Sequence, residues 1–418
     1  MNRRESDALV LGGGAIGLAC ALYLLRAGRS VTVLDRGKVG AATSHGNCGT
    51  ITPSHAAPLA APGVLAQALR WILKKDAPLR ISPRLDFATF EWLLQFARRC
   101  NARDCRRVTA IKAPLLLRAR AELEDLVLRE KLDCEFATHG TLNVYRDARA
   151  FDKSHALSEL AAEFGIVAKT LDGTGCRARE PALNESIVGG YFHPGDAQLR
   201  PERYSAELAR AVAALGGKIC EDTEITGFRT GTGRIESVVT GQGEFTARDI
   251  VFALGAWSPQ VARQLDLRIP IQPGKGYSIT YTRPAHYPRI PLSLKERAVC
   301  VTAWDSGYRL GSTMEFSGYD TSLNRTRLDA LKRGAAEYLI EPEGPSVVEE
   351  WYGWRPMTWD DLPILGRAAT LKNLVLATGH GMLGITMSAI TGRLISELVC
   401  DASPSLDIAP FDPSRFGI

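Results

Sequence analysis

The apolar run Ala8-Leu9-Val10-Leu11 gives way to Gly12-Gly13-Gly14-Ala15-Ile16-Gly17. Leu18, Leu22 and Leu25 then recur at helical spacing, and Ser30-Val31-Thr32-Val33-Leu34 is a second short apolar run that stops at Asp35. Short apolar runs bounded by turn residues predict strands, and recurrence every three to four residues predicts a helix. The chain therefore opens as strand, glycine turn, helix and strand, closed by an acid.

The same patterns recur further along. Ile250-Val251-Phe252-Ala253-Leu254 predicts a strand that stops at Gly255-Ala256-Trp257. Leu374-Val375-Leu376-Ala377-Thr378 predicts another, followed by Gly379-His380-Gly381-Met382-Leu383-Gly384 and an amphipathic helix from Ile385 to Val399. Between these lie a mostly helical stretch from Gly63 to Arg129 and helices near Ala156–Phe164, Pro201–Leu215 and Thr326–Tyr338. Strands are predicted at Thr141–Tyr145, Gly189–His193, Tyr277–Tyr281, Ala298–Thr302 and Tyr308–Leu310. No internal repeat or low-complexity tract interrupts the pattern.

The opening unit carries chemistry. In a strand–glycine–helix turn, Gly12 permits the tight bend, Gly14 lets the backbone approach a pyrophosphate, and Gly17 lets the helix lie close to the strand. The amides of Ala15 and Ile16 open the helix, whose N-terminus favours phosphate. Asp35, with Arg36 after it, stands near the spacing of about twenty residues at which an acid meets a ribose diol. Asp35 alone does not separate FAD from NAD, and the second unit near the C-terminus favours FAD. A nucleotide domain assembled from the start, middle and end of a chain is typical of flavin enzymes. There the last helix, opening here on Gly379, His380, Gly381, Met382, Leu383, Gly384, Ile385 and Thr386, points its positive end at the flavin pyrimidine, where charge gathers on reduction.

Composition narrows the classes. The 418 residues are 45% hydrophobic and 23% charged, as in an ordinary globular protein with room for two cores. A net charge of +5 with scattered Lys and Arg argues against nucleic-acid binding. Nine cysteines, an odd number without a C-x-x-C pair, argue against a zinc site or disulfide framework and for a reducing cytoplasm. No apolar stretch reaches the roughly eighteen residues of a membrane span.

Several stretches together make the chain resemble the D-amino-acid oxidase superfamily of FAD enzymes, with bacterial D-amino-acid and D-hydroxyproline dehydrogenases nearest in pattern. They are Thr43-Ser44-x-x-Asn47-x-Gly49, Gly311-x-Thr313-x-Glu315, Gly353-Trp354-Arg355-Pro356-Met357-Thr358 with Asp361-Leu362-Pro363, and Ala377-Thr378-Gly379-His380-Gly381. The resemblance covers nearly the whole chain. It implies an α/β fold: a discontinuous Rossmann-like FAD-binding domain (1–55, 200–268 and 346–418), a helical insert (56–134), and a substrate-binding domain built on a mixed β-sheet (135–199 and 269–345). It also implies that Thr43, Ser44, Asn47, Cys48 and Gly49 form the loop beneath the isoalloxazine, that Ile225 meets adenine through its backbone, and that Gly255 lies near the cofactor. Some relatives attach FAD through a His or Cys; His45, Cys48 and Cys300 fall in suggestive stretches, but no motif marks attachment.

Arg355 is the leading catalytic candidate. A guanidinium grips a carboxylate with two parallel hydrogen bonds, and the resemblance gives this role to the Arg of Gly-x-Arg-Pro; the alternative is a structural ion pair with Asp360 or Asp361. Tyr277 and Tyr308 are secondary candidates for carboxylate or lid contact, with packing on the sheet as their alternative. No metal cluster or Ser-His-Asp set is evident, which suits hydride transfer to flavin N5, where orientation is the protein's main contribution. The resemblance implies dehydrogenation of a D-amino or imino acid, with D-proline and 4-hydroxy-D-proline as cyclic examples enclosed by Trp351, Tyr352 and Trp354. A quinone or carrier protein would accept the electrons. An oxygen-using glycine or sarcosine oxidase and a flavin-carrying subunit of a larger electron-transfer complex are the competing readings. Val64, Leu65, Leu69, Trp71 and Ile72, flanked by Lys74 and Lys75, suggest a cytoplasmic protein that touches the inner face of the membrane, or simply a packed helix.

Overall fold

A computed structural model describes residues 4–72, 78–82 and 86–418. Two large sheets organise the fold. The first has eight strands, and its centre is parallel: Leu374–Thr378, Gly243–Phe252, Arg4–Leu11, Val31–Leu34 and Lys218–Cys220 lie side by side in that order. Its middle strands read as unbroken apolar runs because both faces are covered. The helices Ala15–Arg26, Pro201–Ala214 and Gly384–Val399 bury one face around Val10, Leu18, Leu208 and Ile395. Leu9, Phe252, Ile364 and Leu376 form the core on the other.

The second sheet has nine strands and mixed direction. Val347–Met357, Gln272–Tyr281, Gly307–Phe316, Val299–Trp304, Leu292–Leu294, Thr141–Tyr145, Gly189–His193 and Lys169–Asp172 pair in sequence, and Leu79–Ile81 adds to the Gly307–Phe316 strand. Strand alternation sorts its side chains into two layers. Tyr277, Ile279, Tyr281, Tyr308, Leu310, Val299, Val301, Leu292 and Leu142 point to one side, where Leu328 and Leu331 of the helix Arg325–Ala336 complete a core. The opposite side carries Gly276, Ser278, Arg309, Gly311, Cys300, Ser293 and Asn143, which the register aligns strand by strand. This polar layer faces the nucleotide domain.

Two boundaries fall differently from expectation. Val347–Met357, placed with the nucleotide domain from sequence, pairs along its length with Gln272–Tyr281 and so belongs to the second sheet. Its hydrogen-bonding partner is about seventy residues away, which local pattern does not reveal. The predominantly helical insert also contributes the short edge strand Leu79–Ile81.

Candidate active site

Gly12 adopts φ +101°, a conformation that favours glycine, at the turn out of Arg4–Leu11. At Gly17 a Cβ would stand 1.8 Å from the carbonyl oxygen of Gly12, so the helix is seated directly on the strand end. Gly14 differs from both: a Cβ there would meet only Ser44 Oγ, at 3.5 Å, and the helix it heads has no side-chain cap. That open, donor-rich surface fits a pyrophosphate. Asp35 ends the neighbouring strand with Oδ2 accepting from the amide of Gly13 at 2.7 Å and Oδ1 from Gly37 at 2.9 Å. Burial raises its pKa despite those bonds, and each oxygen keeps a lone pair for a ribose hydroxyl. Arg36 lies 4.4 Å over the Trp257 ring, and the amide of Thr223 donates to the Asp35 carbonyl at 2.7 Å, bringing the chain entering Ile225 to the same corner.

The loop 43–49 bridges the two sheets. Ser44 Oγ accepts from the amide of Ala15 at 3.1 Å, while Thr43 Oγ1 donates to the Trp354 carbonyl at 2.8 Å. Asn47 Oδ1 closes the loop on the amide of Gly49 at 2.7 Å. At the other end of the nucleotide sheet, Gly379 and Gly381 adopt φ +76° and +56° before the helix Gly384–Val399, which also lacks a side-chain cap. His380 turns inward: its Nε2 lies 3.0 Å from Thr391 Oγ1, and burial pushes its pKa down to about 3, so the ring is neutral. Thr386 Oγ1 accepts from the amide of Thr52 at 3.3 Å, tying this helix to the same loop region.

Arg355 rises from the second sheet on its polar side. Its guanidinium lies over Gly276, where a Cβ would come within 2.4 Å of Nη1. Nη1 donates to the carbonyl of Thr313 at 2.8 Å. That carbonyl is presented by a bulge in which Ser312 and Thr313 take φ +113° and +54°, strained for residues with side chains. The alternative ion pairs are absent: Asp360 binds Arg415 at 2.9 Å and Asp361 binds Lys112 at 2.5 Å. Among the described residues no carboxylate pairs with Arg355, and the rest of its fork has no hydrogen-bond partner. Burial lowers its pKa, with the Cys48 and Cys300 thiols acting in the opposite sense.

This arrangement provides two helix ends whose N-cap residues make no side-chain hydrogen bond, an acid beside a glycine turn and, from a second sheet, a guanidinium with no carboxylate partner among the described residues. The family model described as FAD dependent oxidoreductase matches residues 7–398. The chain belongs to that family. Its cofactor is FAD. The D-amino acid dehydrogenase of Granulibacter bethesdensis is 34% identical over 416 residues, covering 98% of this chain and 99% of that protein. The D-amino acid dehydrogenase of Agrobacterium fabrum is 35% identical over 429 residues, with 98% and 99% covered. In shape, glycine oxidase from Geobacillus kaustophilus matches with a TM-score of 0.81 at 22% identity over 99% of each chain.

Tyr277 and Tyr308 are not brought to Arg355. They occupy the apolar layer, where Tyr277 donates to Glu315 Oε2 at 2.9 Å and Tyr308 to the Pro342 carbonyl at 3.0 Å. Alternation also divides the aromatic group. Trp351 shares the side of Arg355, whereas Tyr352 and Trp354 stack edge to face on the opposite side. Three features of the polar layer escape a reading of local motifs. Arg309 is fully buried and donates to the His45 and Asn47 carbonyls at 3.2 and 2.7 Å, and to Glu202 at 3.0 Å. Lys295, two residues past Ser293, keeps an extended pairing through its amide to the Val144 carbonyl at 3.2 Å. Cys48 Sγ sits over Gly311, the residue paired with Cys300 across the strands. The strict alternation Tyr308-Arg309-Leu310-Gly311 is the one sequence signal that separates Arg309 from its apolar neighbours.

Proposed function

We propose that this flavoenzyme dehydrogenates D-amino acids to their imines and passes the electrons to an acceptor other than oxygen. The observation that carries this reading is the unpaired fork of Arg355, directed into the layer between the sheets. A free amino acid carries the planar carboxylate that such a fork holds bidentately. FAD supplies the acceptor for the hydride from the substrate α-carbon. With the carboxylate fixed, Arg355 dictates which enantiomer turns its α-hydrogen toward the flavin loop. The relatives named D-amino acid dehydrogenase support the D form. Water hydrolyses an open-chain imine, while a ring amine leaves as a cyclic imine.

Cyclic substrates such as D-proline and 4-hydroxy-D-proline are favoured by the shape of this layer. Trp351 lies flat against Gly46 and Gly353, giving an apolar wall beside Arg355. The acceptor reading rests on the helical insert. Among the described residues no helix is long and apolar enough to cross a membrane, but Leu65, Phe87, Phe90 and Leu94 are exposed on adjoining helices. Such a surface suits peripheral contact with a bilayer that carries a quinone. Leu69, Trp71 and Ile72 have side chains outside the described residues, as do Lys74 and Lys75.

Anaerobic flavin bleaching by D-proline, hydroxy-D-proline isomers, D-alanine, glycine, sarcosine and the L forms tests the substrate. Turnover with a soluble dye and with oxygen then tests the acceptor. Preference for sarcosine, glycine or an L isomer overturns the substrate reading. Fast peroxide release overturns the acceptor reading, and a chain inert with every substrate and dye points to a subunit of a larger assembly.

A further inference from the structure

Cys300 and Gly311 stand directly opposite each other on the antiparallel strands Val299–Trp304 and Gly307–Phe316. Their side-chain positions therefore share the polar side of the sheet, with Cβ positions about 4.5–5.5 Å apart. Gly311 has no side chain, and its place is taken from above by Cys48: Cys48 Sγ lies 2.5 Å from where a Cβ of Gly311 would be. The cross-strand partner of Cys300 is thus a cysteine delivered by the flavin loop, some 250 residues earlier in the chain. All nine cysteines are free thiols, and Cys20, Cys105, Cys134 and Cys176 are buried in packed cores.

We propose that Cys48 and Cys300 are a peroxide-oxidisable pair that forms a disulfide between the flavin loop and the substrate sheet, closing the space in front of Arg355. The chemistry uses a hydroperoxide as oxidant. The Cys48 thiolate attacks one peroxide oxygen, the O–O bond breaks, and with hydrogen peroxide a hydroxide leaves and takes up the proton released when Cys48 ionised, giving a sulfenic acid and a water. The Cys300 sulfur then attacks the Cys48 sulfur, the S–O bond breaks, and a second water leaves with the Cys300 proton. Two sulfurs lose one electron each, and the peroxide gains both.

The surroundings favour this order of events. Hydrogen bonding from the Cys300 thiol pulls the Cys48 pKa below its ordinary range, aided by the Arg309 and Arg355 charges and opposed by burial. The same contact drives Cys300 upward, so it stays a thiol and suits the resolving role. Bond formation brings the sulfurs to about 2.05 Å, well inside van der Waals separation. The bond fastens the loop 43–49 to the sheet beside the guanidinium of Arg355.

The test uses the intact, FAD-loaded enzyme, reduced, desalted and treated with a small excess of hydrogen peroxide. Thiols titrated after denaturation should fall from nine to seven, and non-reducing peptide mapping should join the peptides holding Cys48 and Cys300. Dye-linked turnover should fall at least tenfold and return with dithiothreitol. In Cys300→Ser, scored against its own untreated activity, the cross-link is absent. Cys48 then proceeds to the sulfinic acid, and dithiothreitol no longer restores turnover. Absence of the 48–300 cross-link in the wild type, or reversible inactivation persisting in Cys300→Ser, overturns the proposal. A cross-link formed with full activity overturns its effect on the site. The cross-link is read chemically, so it stands or falls separately from the substrate reading.

Discussion

Arg309 donates a 2.7 Å hydrogen bond from Nη1 to the carbonyl oxygen of Asn47, so a strand of the second sheet holds the loop 43–49 by its backbone. The same guanidinium pairs with Glu202, on the helix that packs under the nucleotide sheet, and bonds Thr280 Oγ1 through Nε at 2.9 Å. One buried cation thereby joins three elements that sequence separates widely. Removing one partner of a buried ion pair costs about 3–5 kcal/mol. Arg309→Met should accordingly lower the melting temperature and release FAD on gel filtration. Retained FAD with an unchanged melting curve would show that the loop holds itself.

Arg355 should behave differently if it holds the substrate carboxylate as proposed. Charge-assisted hydrogen bonds contribute roughly 1.5–3 kcal/mol each, so loss of two in Arg355→Met predicts about a hundredfold fall or more in kcat/KM. FAD content should not change. Arg355→Lys should recover part, because an ammonium cannot reproduce the planar fork. Near-normal turnover in Arg355→Met would remove this residue from substrate binding.

Gly14 and Gly17 provide a paired test of the cofactor turn. A Cβ at Gly17 collides with the Gly12 carbonyl at 1.8 Å, so Gly17→Ala should impair folding itself. At Gly14 the protein leaves space, with only Ser44 Oγ at 3.5 Å. Gly14→Val should therefore give a folded, colourless protein with a near-native circular dichroism spectrum. A yellow Gly14→Val protein would place the pyrophosphate elsewhere.

The contrast between these residues explains what the sequence makes legible. Gly12 to Asp35 is a local unit, and its strand, turn, helix and acid all lie within reach of a short window. The same holds for Leu374–Thr378 and the helix beginning at Gly384. Arg355 is legible through its motif, but its neighbours are not. Cys300, Arg309 and Lys295 reach its side of the sheet only through strand pairing, and pairing between distant segments leaves no local trace. Alternation alone could have assigned Tyr277 and Tyr308 to the apolar layer, since each is followed two residues later by Ile279 or Leu310.

His45 pairs with Glu349 at 2.9 Å where the loop 43–49 meets the second sheet. The Glu349 hydrogen bond raises the His45 pKa above its ordinary 6.5, and His45 in turn lowers that of Glu349. The histidine contribution to stability is full below the unfolded pKa and is lost as pH rises through the raised folded value. The glutamate contribution is present above its unfolded pKa and fades as pH falls through its depressed one. The pair thus stabilises most in the mildly acidic range. Denaturant unfolding should find Glu349→Gln destabilised at about pH 5.5 and much less so at about pH 9. An equal difference at both values would deny the pair a pH-dependent role.

The helix Phe87–Arg99 carries Phe87, Phe90 and Leu94 at helical spacing along one stripe, with Phe87 75% and Phe90 64% exposed. Its inner side is firmly held, because Trp92 is buried and donates from Nε1 to the Met357 carbonyl at 3.1 Å. The outer stripe can therefore change without loosening the fold. Exposed Arg98 and Arg103 follow it closely and would favour an anionic bilayer. Burying a Phe side chain contributes about 1.5–3 kcal/mol, so Phe87→Ser with Phe90→Ser should weaken binding to vesicles of anionic phospholipid by at least about tenfold. Quinone reduction in those vesicles should fall in parallel while turnover with a soluble dye stays level. Equal loss with both acceptors would trace the defect to the site near Met357, and undiminished vesicle binding would show that this stripe does not meet the membrane.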